Sequence, residues 1–164
     1  MSLRVLLAVV LAAALLAASQ PALETARETQ SERAVEVQVV ALDRAAADLV
    51  ATEEATPGPG ARRIATVRLP PRSWTTAEVS WVVIGGTPGS TDPGLVSYRL
   101  AGRRTAYLRL STPVDTPGGE PLVVAGDGPV RLVLTLERNG VHVQRAAEVR
   151  TRRSRENRTR RVRV

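Results

Sequence analysis

Residues 130–143, VRLVLTLERNGVHV, decide the fold. Val130, Leu132, Leu134 and Leu136 fall on one side of an extended chain, and Arg131, Val133, Thr135 and Glu137 on the other. That two-residue period is the pattern of a strand with one buried face. Asn139-Gly140 follows, a dipeptide that tolerates positive φ at both positions, so the spacing predicts a tight turn and a returning strand. On that return His142 alternates with Val141 and Val143, which puts the imidazole on the solvated face.

Toward the N-terminus the same punctuation repeats. Short runs rich in Val, Leu and Ile predict strands over 62–69, 78–85, 95–101, 104–110, 121–125, 129–137 and 141–149. AYLRL repeats the alternation with Ala106, Leu108 and Leu110, and Gly102 marks a second hairpin. GGTPGSTDPG (85–94) and STPVDTPGGE (111–120) read as connecting loops. About seven short strands with regular turns predict an antiparallel β-sandwich or a curved sheet.

Ahead of the strands, residues 22–54 contain neither Gly nor Pro and favour a helix. Val35, Val39, Leu42, Ala46 and Leu49 draw one apolar stripe along it, and ATPGPGA (55–61) ends it. With so few repeats, docking onto the protein's own sheet is favoured over a coiled-coil or filament seam. The fold class is therefore α+β.

The first segment is LRVLLAVVLAAALLAASQPALE (3–24). Arg4 makes a short positive flank and Val5 to Ala18 is an apolar run. As a helix the run is about 21 Å long, short of a hydrocarbon core of roughly 30 Å. Ala17 and Ser19 are the small residues of a cleavage site before Gln20, which favours a signal peptide. Counting Leu3 through Leu23 lengthens the run enough for an anchor, with Pro21 as a kink or as the start of the next helix. Either reading exports the body, because Glu24, Glu28 and Glu32 lie beyond the run. The chain divides into a signal peptide or membrane anchor (1–19), an amphipathic helix (20–56), a β-rich domain (61–149) and an Arg-rich tail (150–164).

Composition narrows the chemistry. All 23 basic residues are arginine, and there is no cysteine, lysine or phenylalanine. A core must be built mostly from Val, Leu and Ala. Without cysteine there is no disulfide, thiolate zinc site or cysteine nucleophile. His142 is the one histidine, no G-x-S-x-G elbow occurs, and GGTPG lacks the lysine of a phosphate loop. Asp92, Asp115, Glu120 and Asp127 are carboxylates whose spacing matches no calcium loop. The expectation is a non-enzymatic protein with no catalytic residues, metal or cofactor.

The net charge is +7, and residues 145–164 account for all of it with nine arginines against Glu148 and Glu156. EVRTRRSRENRTRRVRV (148–164) repels itself and carries few apolar residues, the composition of a disordered end. Arg150, Arg152, Arg153, Arg155, Arg158, Arg160, Arg161 and Arg163 are the candidate polyanion-binding residues. Anionic lipid headgroups or acidic glycans are the candidate partners. Nucleic acid ranks last, because no aromatics interleave the arginines to stack bases. A solvated end with no partner weighs equally against all of these. Asn157-Arg158-Thr159 forms an N-glycosylation sequon.

SQPALETAR, GPGARRIATVRLPPRSW (58–74), PLVV and VRLVLTLER together resemble a haloarchaeal domain-of-unknown-function family over most of residues 1–138. The chain departs from that pattern in its neutral body and in lacking a processing site ahead of the apolar run. The resemblance implies an N-terminal export or membrane segment, a small β-rich domain and an association with type IV pilus-like machinery. It brings no catalytic residues. The functional expectation is a cell-envelope protein, either an accessory or a pilin-like component of a surface structure. Its alternative is an exported binding module that uses the Arg-rich tail.

Overall fold

A computed structural model describes residues 3–55, 60–126 and 128–146. One helix, α1 (Leu3–Thr52), is followed by eight strands. They are β1 (Arg62–Leu69), β2 (Val79–Thr87), β3 (Ser90–Leu100), β4 (Thr105–Arg109), β5 (Val114–Asp115), β6 (Leu122–Val124), β7 (Gly128–Glu137) and β8 (Gly140–Arg145). They form two four-stranded sheets ordered β1-β7-β8-β5 and β4-β3-β2-β6. All pairings are antiparallel except β5 with β8. The α+β reading and the sandwich hold.

The alternation in β7 does what its period requires. Leu132, Leu134 and Leu136 are buried between the sheets, while Arg131 faces water. The core is Val- and Leu-rich, and Tyr98 is its one aromatic among the described residues.

The stripe on α1 is the buried stripe. Val35, Val39, Leu42, Ala46 and Leu49 are all at most 7% exposed, joined by Ser31 at 0%. Val35, Val39 and Leu42 meet Val67 and Leu69 of one sheet and Val82 and Ile84 of the other. The helix thus closes the side of the sandwich flanked by β1 and β4. Gln38 Oε1 accepts the amide of Arg68 at 3.1 Å, covering part of the exposed edge of β1. On the other flank Asp43 accepts the amides of Ser111 and Thr112 at 3.0 Å each and the Ser111 hydroxyl at 2.8 Å.

Several local expectations are corrected. Pro21 does not start a new helix; α1 is continuous through it. Pro21 has no N–H to offer the Ala17 carbonyl one turn back; the nearby hydroxyls bond other carbonyls, Ser19 donating to that of Leu16 and Thr25 to that of Pro21. Segment 85–94 is not a loop. Strand pairing runs through a bulge to Thr87↔Ser90, leaving Pro88-Gly89 as the turn. Gly86 makes the bulge possible: φ is +143° and a Cβ there would lie 2.1 Å from the Ser90 carbonyl oxygen. The β7–β8 hairpin closes at Glu137↔Gly140, so Arg138-Asn139 is the turn; neither of them has positive φ, and Gly140, which opens β8, does. Segment 111–120 holds β5, which is only two residues long and carries no periodicity to read.

Candidate functional site

The register of the strands places one end of the sandwich beside the turn of α1 where burial begins. β1 runs antiparallel to the helix, from Arg63, whose guanidinium meets Asp48 at 3.1 Å, to Arg68 at Gln38. Beyond Leu69 the chain forms the segment 70–78, which packs on the next turns down. The Arg27 guanidinium donates to the Trp74 carbonyl, and the Ser31 hydroxyl lies 3.0 Å from the carbonyls of both Arg27 and Ala77. Ser73 Oγ accepts the amides of Thr75 and Thr76, both at 3.1 Å, and Thr76 Oγ1 donates to the Pro71 carbonyl at 2.7 Å. This web fixes the backbone of the segment, yet the Trp74 ring is 82% exposed.

Three further pieces of chain converge here. The β3–β4 turn is tied to the helix by Arg103 Nε donating to Glu28 Oε1 at 2.8 Å, with a second contact from its Nη2. That hydrogen bond, ahead of the charge attraction itself, holds the Arg103 proton more tightly than usual. Gly128 pairs with Leu69. Arg145 pairs with Leu132, and the Ala146 amide donates to the Arg131 carbonyl at 2.8 Å.

Charge separates along this axis. At the end just described the strands and turns carry Arg68, Arg72, Arg99, Arg103, Arg104, Arg131 and Arg145 against Glu78. The adjoining helix adds Arg27 and Arg33 with Glu24, Glu28, Glu32 and Glu36, nine positive groups against five. The opposite end has Arg44, Arg62, Arg63, Arg109 and Arg138 against eight acids. Those acids are Asp43, Asp48, Glu53, Glu54, Asp92, Asp115, Glu120 and Glu137. Among the described residues the two ends thus differ as +4 and −3.

At the positive end a groove of about 910 Å³ runs between α1 and the ends of β1 and β7. Gln30, Arg33 and Val37 form one wall, and Arg68, Pro71 and Pro129 the other. Two guanidinium groups over an apolar floor suit an acidic group carried on an apolar segment.

The residues considered for catalysis do not assemble. His142 is not solvated: its side chain is only 16% exposed, covered on the outer face of its sheet. Cross-strand neighbours Thr135 and Asp115 flank it, Glu137 lies 3.7 Å from Nε2, and Nε2 has no hydrogen bond. Asp92 accepts the Gly94 amide and sits 3.7 Å from Arg109. Asp115 lies on β5 and Glu120 in the loop after it; no cluster of three metal-ligating side chains occurs among the described residues. Asp127, Arg150, Arg152, Arg153, Arg155, Asn157, Arg158, Arg160, Arg161 and Arg163 lie outside the described residues.

Sequence reading missed Trp74 and the arginines around it. The arginines are dispersed from 68 to 145, and only strand register brings them together; the one local signal was the Ser73-x-x-Thr76 turn chemistry.

Residues 2–154 match a domain of unknown function, DUF7311. The chain belongs to the DUF7311 family. The matched span includes the whole of α1 and both sheets. It also runs past residue 138 through the start of the tail, so Arg150, Arg152 and Arg153 fall within DUF7311 and Arg155 onward beyond it. No curated protein and no solved structure matches the chain. The N-terminal part of this DUF7311 helix is long and apolar enough to cross a membrane, as a signal sequence or an anchor would be.

Proposed function

We propose that this DUF7311 protein is a non-enzymatic cell-envelope protein, with residues 3–23 set in the membrane and the β-sandwich displayed on the outer face. One observation carries the reading. α1 is a single unbroken helix whose apolar N-terminal window is wholly unburied, while its second half is locked into the sandwich. A helix that is apolar all round belongs in an apolar medium. The haloarchaeal resemblance extends the reading to an accessory or pilin-like component of a surface structure.

N-terminal sequencing of the mature protein, with cell fractionation, tests it. Full-length chain in the membrane fraction after carbonate washing is the expected result. Soluble protein in the medium beginning at Gln20 would reject the anchor and leave a secreted domain.

A second reading is an exported module whose Arg-rich tail binds anionic lipids or glycans. It is supported by the position of Ala146, from which the tail departs at the positive end of the head. Deleting 150–164 should then abolish retention on heparin or anionic vesicles at low salt. Equal retention with and without the tail excludes it.

A further inference from the structure

We propose that the positive end of the head is itself a bilayer-docking surface. In it Trp74 sits among the lipid headgroups, and Arg72, Arg104 and their neighbours meet anionic headgroup phosphates. The proposal rests on the anchor reading and adds a site made of the folded domain, independent of the tail.

Depth supplies the first argument. Nineteen residues separate Arg4 from Glu24, a helical length of about 28 Å, close to the roughly 30 Å of a hydrocarbon core. Glu24 then stands at the boundary. Arg27 follows less than one turn later, about 5 Å along the axis, within the headgroup layer that lies outside the hydrocarbon. The Arg27 guanidinium holds the Trp74 backbone carbonyl, so segment 70–78 is at that depth.

The second argument is the ring. Trp74 is the most exposed aromatic of the head, at 82%, on a backbone fixed by hydrogen bonds from Arg27 and within the Ser73 turn. Indole rings concentrate where hydrocarbon meets headgroup, with the ring in the apolar layer and the N–H hydrated. Charge is the third. The end from which the anchor leaves carries +4 and the far end −3, the polarity that an anionic membrane surface would orient and hold.

The experiment uses full-length protein reconstituted in vesicles of phosphatidylcholine and phosphatidylglycerol that contain a lipid brominated near the top of its acyl chain. Trp74 and Trp81 are the two tryptophans of the chain, so wild type minus Trp74→Phe isolates the Trp74 emission. Carbonate-resistant protein in which bromolipid quenches Trp74 about twofold or more over Trp81 is expected. Exchanging phosphatidylglycerol for phosphatidylcholine, or introducing Arg72→Gln with Arg104→Gln, should weaken that quenching and leave carbonate resistance intact. Carbonate-resistant protein whose Trp74 is quenched no more than Trp81 overturns the docking surface and spares the anchor. Release by carbonate overturns the anchor reading, and the surface with it. Quenching indifferent to lipid charge, with heparin retention lost in the double variant, would assign the arginines to glycans and overturn the proposal.

Discussion

The two halves of α1 share one backbone but not one pattern of burial. Residues 31–49 follow a stripe with spacings of three and four, and every member of the stripe is buried against the two sheets. Residues 3–23 carry apolar side chains on all sides and bury none of them: Leu3, Leu7, Leu11 and Leu16 are each more than 60% exposed. Helix propensity alone does not distinguish the halves. Amphipathicity does: a helix that folds against protein needs one apolar face, and a helix that folds in lipid needs all of them.

The largest effect that tests the contrast is a cavity. Leu42→Ala, 2% exposed between the sheets, should lower unfolding free energy by about 2–5 kcal/mol. Leu11→Ala, in the exposed half, should change it by no more than about 0.5 kcal/mol. Urea unfolding of both variants in a mild detergent measures the pair, and equal losses would erase the distinction.

Next in size is the polar clamp on the docked half. Asp43→Ala removes the acceptor of three hydrogen bonds from residues 111 and 112 and should lower stability by about 1–3 kcal/mol, read from the same urea midpoints. Ser31→Ala, fully buried where segment 70–78 meets the helix, should lower it by about 1 kcal/mol. A larger fall for Ser31 than for Asp43 would move the anchor point of the docked half toward residue 31.

The smallest effect is a pH dependence. Burial pushes the Tyr98 hydroxyl above its ordinary value of 10.0, and the carboxylates of Glu32 and Glu36 push it further. The folded chain therefore keeps a proton that the unfolded chain gives up. Stability should decline as pH rises past about 10, toward the higher folded value, and should be unaffected by this group at neutral pH. Tyr98→Phe should flatten that alkaline limb in a thermal-melt series. An unchanged limb would mean that neither burial nor the carboxylates raise the Tyr98 hydroxyl.

Much of the fold was legible because its signals are local. The Val35–Leu49 stripe is a periodicity, β1 occupies the very residues 62–69 that its pattern marks, and β7 differs from its expected span by one residue. What stayed hidden depends on partners. β5 exists because Val114 and Asp115 find Val141 and His142, which a two-residue strand cannot announce. The 85–94 segment read as loop because glycine usually ends strands; here Gly86 bends one that continues, and the buried Ser97 hydroxyl donates to its carbonyl at 2.7 Å. His142 read as solvated because alternation assigns a face and says nothing of what covers it. The positive end of the head was not legible. Its arginines are scattered along the chain, and register alone assembles them.

The absence of any break in α1 between Leu3 and Thr52 has a mechanical consequence. If residues 3–23 lie in a membrane as proposed, a swivel at the base would let the head sample many attitudes, whereas a continuous helix transmits them. From Glu24 to Thr52 the lever is about 42 Å long, so leaning the proposed membrane segment by about ten degrees would sweep the far tip sideways by roughly 7 Å. Whatever meets the distal rim of this protein would therefore sense the slant of its root.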